Sequence, residues 1–189
     1  MTVGNQIEDQ SGKRWYVLRD LKRANANERA FQMLKRVEGE PIEVFTPLMK
    51  RAYERGGRKI IVDVPVVSDL LFVHSSRRRL DPIIADTPTL QYRYVKGGKR
   101  NEPMTVRDEE MNLFMAAVSG IDDVKYYTPE EVSPALYDKR IVIIGGRLDG
   151  YEGRLKTTRG SRVKRLIVEL PGLLAAGVEV DAQYIKLVK

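Results

Sequence analysis

The sequence predicts an α+β domain followed by a small all-β barrel. Three observations carry this. The stretch Lys13–Arg19 reads as a strand with apolar residues on both faces, as a strand inside a sheet requires. Up to Ser119, segments with helical spacing are interspersed with short runs rich in Ile and Val, the texture of a mixed or antiparallel sheet covered by helices. Beyond Lys139, short apolar runs alternate with Gly145, Gly146, Gly150, Gly153, Gly160, Gly172 and Gly177, the texture of a small barrel.

Taken in order, Trp15 and Val17 share one face of the first strand, and Tyr16 and Leu18 the other. A helix follows. Asn25 and Glu28 have capping-box spacing, which would satisfy the orphan N–H groups of the first turn. Ala30, Phe31, Leu34 and Val37 then recur at helical spacing until Gly39 and Pro41 stop the helix. Ile42–Thr46 is a second strand, Lys59–Val67 a third, entered through the Arg55-Gly56-Gly57 turn, and Leu70–His74 a fourth, entered through Ser68-Asp69. Arg77–Ala85 fits a short helix and Gln91–Val95 a fifth strand. Thr105 suits an N-cap, and Asp108, Glu109 and Glu110 suit the positive end of a helix dipole. Met111, Phe114, Met115 and Val118 form the apolar face of that helix, and Gly120 closes it.

Residues 120–138 read as a linker, acidic and interrupted by Pro129 and Pro134. The domains are therefore expected at 13–119 and 139–189. In the second, Ile141–Ile144, Tyr151–Thr157, Val163–Leu170, Gly177–Val180 and Tyr184–Val188 are strand-like. Leu170–Ala176 is the only stretch that tempts a helix, and Pro171 and Gly172 interrupt it, so no stable helical form is expected.

Composition removes several function classes. With no cysteine there is no disulfide and no thiolate metal site. With His74 as the only histidine there is no multi-histidine metal centre and no relay needing two imidazoles. The glycine pairs at Gly56, Gly97 and Gly145 lack a following Lys-Ser/Thr, so no phosphate-binding loop is present. Carboxylates are frequent but fall in helix caps and the linker. No enzymatic activity, no metal and no cofactor is expected. No apolar run approaches the roughly 20 residues that span a bilayer, and the polar first dozen residues do not resemble a signal peptide, so a cytoplasmic location is expected.

The net charge of +7 is unevenly placed. Residues 13–119 hold 21 basic against 14 acidic side chains, 120–138 hold 1 against 5, and 139–189 hold 11 against 5. Two basic blocks flank an acidic stretch. This distribution favours a polyanionic partner, and equally fits a well-solvated surface.

Lys13-Arg14-Trp15-Tyr16-Val17-Leu18 resembles the opening strand of the NusG N-terminal domain, where a Trp-Tyr pair follows a basic residue. Val66-Val67-Ser68-Asp69-Leu70-Leu71-Phe72-Val73 falls where that family carries a Phe-Pro-Gly-Tyr turn and an apolar strand; the strand matches and Ser68-Asp69 replaces the turn. The run from Gly145 through Gly146, Arg147, Leu148, Asp149, Gly150, Tyr151 and Gly153 to Leu155 resembles a KOW motif, a glycine-punctuated β turn with an apolar or aromatic tip. On these residues the chain resembles the NusG family of transcription elongation factors. The replaced turn, the basic first domain and the long linker resemble specialised antiterminators of the RfaH or capsule-locus kind.

The resemblance implies a first domain that sits on the clamp helices of RNA polymerase and suppresses pausing. It also implies an SH3-like barrel that recruits a partner such as Rho or a ribosomal protein. The expected polymerase-docking face is an exposed apolar cup of Trp15, Val17, Val67, Leu70 and Phe72, with Tyr16, Leu18, Leu71 and Val73 turned to the core. The plain alternative is that all of these are core. Lys22, Arg23, Arg77, Arg78 and Arg79 are the expected contacts to non-template DNA or nascent RNA; the alternative is a solvated basic turn. Ile144, Leu148 and Tyr151 are the expected partner-binding patch of the KOW domain, or else a barrel rim. The implied protein is monomeric and makes no membrane contact. A different reading of the same features is a ribosome-associated or RNA-binding KOW protein without polymerase contact.

Overall fold

The structure is a computed structural model that describes residues 12–22, 28–95, 97, 102–121, 124–129, 131, 139–157 and 163–188. The chain divides into two compact units, Met1–Arg107 and Asp108–Lys189.

In the first unit, β1 (Arg14–Asp20) lies inside an antiparallel sheet, as its two apolar faces require. It pairs along one edge with β5 (Leu70–Ser75), from Arg14↔Ser75 to Arg19↔Leu70. Along the other edge it pairs with β6 (Leu90–Tyr92) at Leu18↔Tyr92 and with β7 (Thr105–Val106) at Trp15↔Val106. The short β2 (Glu43–Phe45) pairs with the outer side of β5. One face of this sheet is the main core. Tyr16, Leu18, Leu71 and Val73 pack with Ala30 and Leu34 of α1 (Ala30–Leu34) and Leu80 of α2 (Arg77–Ala85), together with Ile42, Leu90 and Tyr92. Each leucine, isoleucine or valine among them contributes about 1.5–3 kcal/mol by burial, so α1 is held by packing more than by its own short length.

The start of α1 differs from the capping box expected at Asn25, which lies outside the described residues. The Asp20 carboxylate at the end of β1 accepts the Ala30 N–H at 3.0 Å, and the Gln32 side chain accepts the Arg29 N–H at 2.9 Å. A local cap from Gln32 and a tertiary one from Asp20 together hold the first turn. Thr105 likewise does not cap a helix: it pairs with Tyr16 in β7.

Between β2 and β5 the chain forms a two-stranded antiparallel hairpin, β3 (Leu48–Arg55) and β4 (Arg58–Pro65), which pairs with no other described strand. Only β4 was expected from the sequence. Every residue of β3 is exposed, so neither face carried the apolar alternation that betrays a half-buried strand. Gly56 (φ 59°) and Gly57 (φ 72°) link the strands, the two positive φ values that a two-residue type I′ turn demands.

The second unit is an antiparallel six-stranded sheet in the order β13-β9-β10-β11-β12-β8. Its strands are β8 (Lys125–Tyr127), β9 (Lys139–Ile143), β10 (Glu152–Thr157), β11 (Lys164–Leu170), β12 (Leu174–Val180) and β13 (Ile185–Leu187). It curls in a barrel-like way but stays open, since β13 and β8 end the order without pairing. Leu170–Ala176 forms a turn running into β12, with no helix.

Two expected boundaries move. The helix α3 (Asp108–Val118), expected to close the first domain, packs against β11 and β12 of the second. Met111, Phe114 and Ala117 are fully buried, so its apolar face needs the sheet it lies on. The expected linker 120–138 is in part structured: Lys125–Tyr127 is β8, paired with β12 from Ala175↔Tyr127 to Gly177↔Lys125. Residues 132–138 lie outside the described residues.

Candidate functional site

The alternation of β1 and β5 separates the two faces of the first sheet as the sequence reading expected. Trp15 and Val17 lie with Leu70 and Phe72 opposite the helix-covered face. Around them stand Phe45, whose ring centroid is 6.2 Å from that of Phe72, and Val106, paired with Trp15. The Trp15 indole stacks on the His74 imidazole at 5.2 Å, and Glu43 approaches His74 Nδ1 at 3.8 Å.

The exposure expected of this face is not found. Trp15 is 2% exposed, Leu70 3%, and Val17 and Phe72 0%. Only Val67 is half-buried. An aromatic and aliphatic face this large is costly to leave in water, at about 25 cal/mol per Å². Sequence periodicity reports that a face is apolar without reporting whether it is covered.

The Ser68-Asp69 turn is fixed from three sides. Asp69 accepts from Arg19 Nε at 3.0 Å and from Arg93 Nη2 at 3.1 Å. The Ser68 carbonyl accepts from the Arg29 guanidinium. Arg29 is itself buried and donates from Nε to Asp20 Oδ2 at 3.0 Å, while Asp20 Oδ1 accepts the Lys22 N–H at 3.0 Å. This buried carboxylate–guanidinium pair joins the end of β1, the start of α1 and the turn into β5. Nothing in the sequence pattern marked Asp20 and Arg29 as partners.

The arginine triplet is not three free cations. Arg77 lies 3.3 Å from Asp81, and Asp81 accepts from the Tyr92 hydroxyl at 2.8 Å. Burial, then the hydrogen bond to Asp81, raises the Tyr92 phenol well above its usual range. Arg79 donates to the Glu38 carbonyl at 3.0 Å. Arg78 is the exposed member. Lys22 Nζ donates to the Glu28 carbonyl at 3.0 Å, and Arg23 lies outside the described residues. A short helix that opens on three arginines opposes its own dipole, and pairing Arg77 with Asp81 one turn on offsets part of that cost.

A family model described as Transcription termination factor nusG matches residues 13–115, more than half of the chain. The chain belongs to the NusG family. No curated protein matches it. The match covers the whole of the first sheet and runs into α3, ending ahead of the Gly145–Leu155 stretch.

In the second unit of this NusG-family chain, the three expected partner-binding residues are differently placed. Ile144 is half exposed, Leu148 is buried and Tyr151 is half-buried. All three sit on one turn: Gly150 N–H donates to the Ile143 carbonyl and Ile143 N–H to the Tyr151 carbonyl, both at 2.8 Å. Leu148 lines a cavity of about 140 Å³ together with Ile121, Ile143, Val180 and Tyr184. Between Leu148 and the glycine pair, Arg147 donates to the carbonyls of Ala117, at 3.1 Å, and Ser119. It thereby satisfies orphan carbonyls at the C-terminus of α3, where a cation is favoured. No group of three or more acidic or histidine side chains placed to hold a metal occurs among the described residues.

The sequence reading placed β4 but missed β3, and with it the β3–β4 hairpin. Its exposed Met49, Tyr53, Ile60 and Val62 and its arginines Arg51, Arg55 and Arg58 form a second surface of interest. The glycine turn ahead of the Ile- and Val-rich Lys59–Val67 run was the signal that a strand precedes it.

Proposed function

We propose that this NusG-family protein is a specialised elongation and antitermination factor, without enzymatic activity, acting on cytoplasmic RNA polymerase. Its first unit engages the polymerase clamp helices through the Trp15–Val17–Leu70–Phe72 side of the sheet, entered at Val67, and so suppresses pausing or termination. Its second unit serves as a KOW domain and recruits a partner at the Ile144–Tyr151 turn. Arg78 touches the displaced non-template strand or nascent RNA. The observation that carries this reading is the family match over the sheet that bears the apolar face. Four of the five docking side chains are buried in the free chain, so engagement requires exposing them. The apparent affinity then falls by the fraction of molecules in the exposed state.

The test is capture of purified RNA polymerase by the full chain and by Val67→Asp. Leu70→Asp is unsuitable: it would place a charge at a 3% exposed position and unfold the sheet. Capture by the wild type, weakened in a folded Val67→Asp protein, together with shortened pauses in an elongation assay, is the expected result. No capture, even on a paused complex with exposed non-template strand, would overturn the proposal in favour of a ribosome-associated or RNA-binding protein.

A further inference from the structure

The registers of β9, β10 and β11 set like charges directly opposite one another. Arg140 faces Arg154 across β9 and β10, and Lys156 faces Arg165 across β10 and β11. Their chain neighbours Ile141, Leu155 and Leu166 are buried, so alternation turns these four cations to the other face of the sheet. Opposed residues stand about 5 Å apart at Cβ, and Arg154 and Lys156 about 7 Å apart along β10. Like charges placed directly opposite destabilise a sheet. The sequence has the same bias: from Gly153 to Val168 it holds Arg154, Lys156, Arg159, Arg162, Lys164 and Arg165 and no acidic residue. Glu152 and Glu169 share the face at the other end of β10 and β11, and Glu179 stands opposite Arg165. Positive charge is therefore concentrated at the Thr157–Lys164 end.

Two of the four cations are held from beneath. Lys156 Nζ sits 4.4 Å from the centre of the Tyr127 ring. Gly177 makes room for Arg165: a Cβ there would come 3.3 Å from Arg165 Cδ and 3.0 Å from the Tyr127 ring. Side chains fixed in this way lose less freedom when they bind. The apolar residues under them, Tyr127, Ile167 and Ala175, are only 4%, 3% and 1% exposed. Cations over a covered apolar floor suit the phosphate backbone, which is contacted mainly by Arg and Lys. A protein partner would call instead for accessible aromatic or aliphatic anchors. With the Tyr127 ring covered, base stacking does not contribute, and contact is to the backbone alone.

We propose that Arg140, Arg154, Lys156 and Arg165 form a sequence-independent binding surface for the phosphate backbone of nucleic acid. It is distinct from Arg78 of the first unit and from the Ile144–Tyr151 turn, and it does not depend on polymerase docking.

The experiment titrates the full chain carrying Arg78→Gln, which removes the proposed first-unit contact, with single-stranded RNAs of unrelated sequence over a range of salt. Added to this background are Arg140→Gln/Arg154→Gln, the same pair with Lys156→Gln, Glu179→Gln and, as a control of equal charge loss elsewhere, Lys35→Gln/Arg36→Gln. The slope of log K against log salt should fall by about 0.7 for each phosphate contact removed. At physiological salt the triple variant should bind about tenfold more weakly, equally for every sequence. Arg140→Gln/Arg154→Gln should melt no lower than its parent, because a like-charge pair is relieved. Glu179→Gln, which removes the carboxylate opposite Arg165, should tighten binding about twofold. Unchanged binding in the triple variant, or an equal loss in Lys35→Gln/Arg36→Gln, overturns the inference. So does a loss confined to one RNA sequence, which would mean base readout. Polyglutamate that competes as well as RNA at equal charge overturns it in favour of an acidic protein partner.

Discussion

Removing the Asp20 carboxylate should be among the most damaging single changes in the first unit. In Asp20→Ala, the Arg29 guanidinium loses the acceptor of its Nε, at 3.0 Å, while its side chain stays 9% exposed. Orphaning one partner of a buried ion pair costs about 3–5 kcal/mol. The Ala30 and Lys22 N–H groups lose their acceptors too, each worth about 1 kcal/mol where water does not replace it. Some relaxation will overlap these costs, so a total of about 4 kcal/mol is expected, out of the 5–15 kcal/mol typical of a domain. With a urea m-value of about 2 kcal/mol/M, the midpoint of the first unit should fall by about 2 M. The control is Asp20→Leu/Arg29→Met, which removes both charges and keeps apolar volume. It should be less destabilised than Asp20→Ala. A loss below about 1 kcal/mol, or a double variant worse than the single one, would refute the view that an uncompensated buried cation dominates.

Gly153→Ala would set a Cβ 2.6 Å from Leu166 Cδ1 and 2.9 Å from the Ile167 carbonyl oxygen, so the second unit should lose about 1–3 kcal/mol in a denaturant melt. The Tyr92 phenol is held above its ordinary value of 10.0 in the fold. Its contribution to stability is therefore full below pH 10 and lost as pH rises further. Tyr92→Phe should flatten that alkaline loss in stability measured against pH. Arg78→Glu should weaken oligonucleotide binding and lower its salt dependence by about one phosphate contact without shifting the melting temperature. Arg79→Ala, which frees the Glu38 carbonyl, should lower stability instead.

How far the sequence reached can be judged from individual elements. The α2 helix lies at Arg77–Ala85, where its pattern placed it, and β1 is interior as its two apolar faces required. Both follow from local periodicity. Periodicity failed for β3, which has no packed face to produce a pattern. It also misassigned α3: the apolar stripe of Met111 and Phe114 was plain, but a stripe does not say which sheet covers it. The arginine triplet shows the same limit from the polar side. Three adjacent cations were legible, and the i,i+4 pairing of Arg77 with Asp81 follows from the helix itself, whereas the engagement of Arg79 with the Glu38 carbonyl depends on a contact reached only through the fold. The facing of Trp15 and Phe72 was readable, and their burial was not.

The position of α3 bears on how the protein can be taken apart. A fragment beginning at Lys139, the cut that glycine content and the acidic stretch suggest, would leave behind both α3 and β8. The β11–β12 surface that receives Met111 and Phe114 would then meet water, and the β12 edge paired with β8 would be left open. Such a piece is expected to aggregate or to dimerise through that edge. Any refolding seen in it would describe the damage and not the native domain. A cut after Arg107 keeps the helix, its Arg147 clasp and the edge strand together.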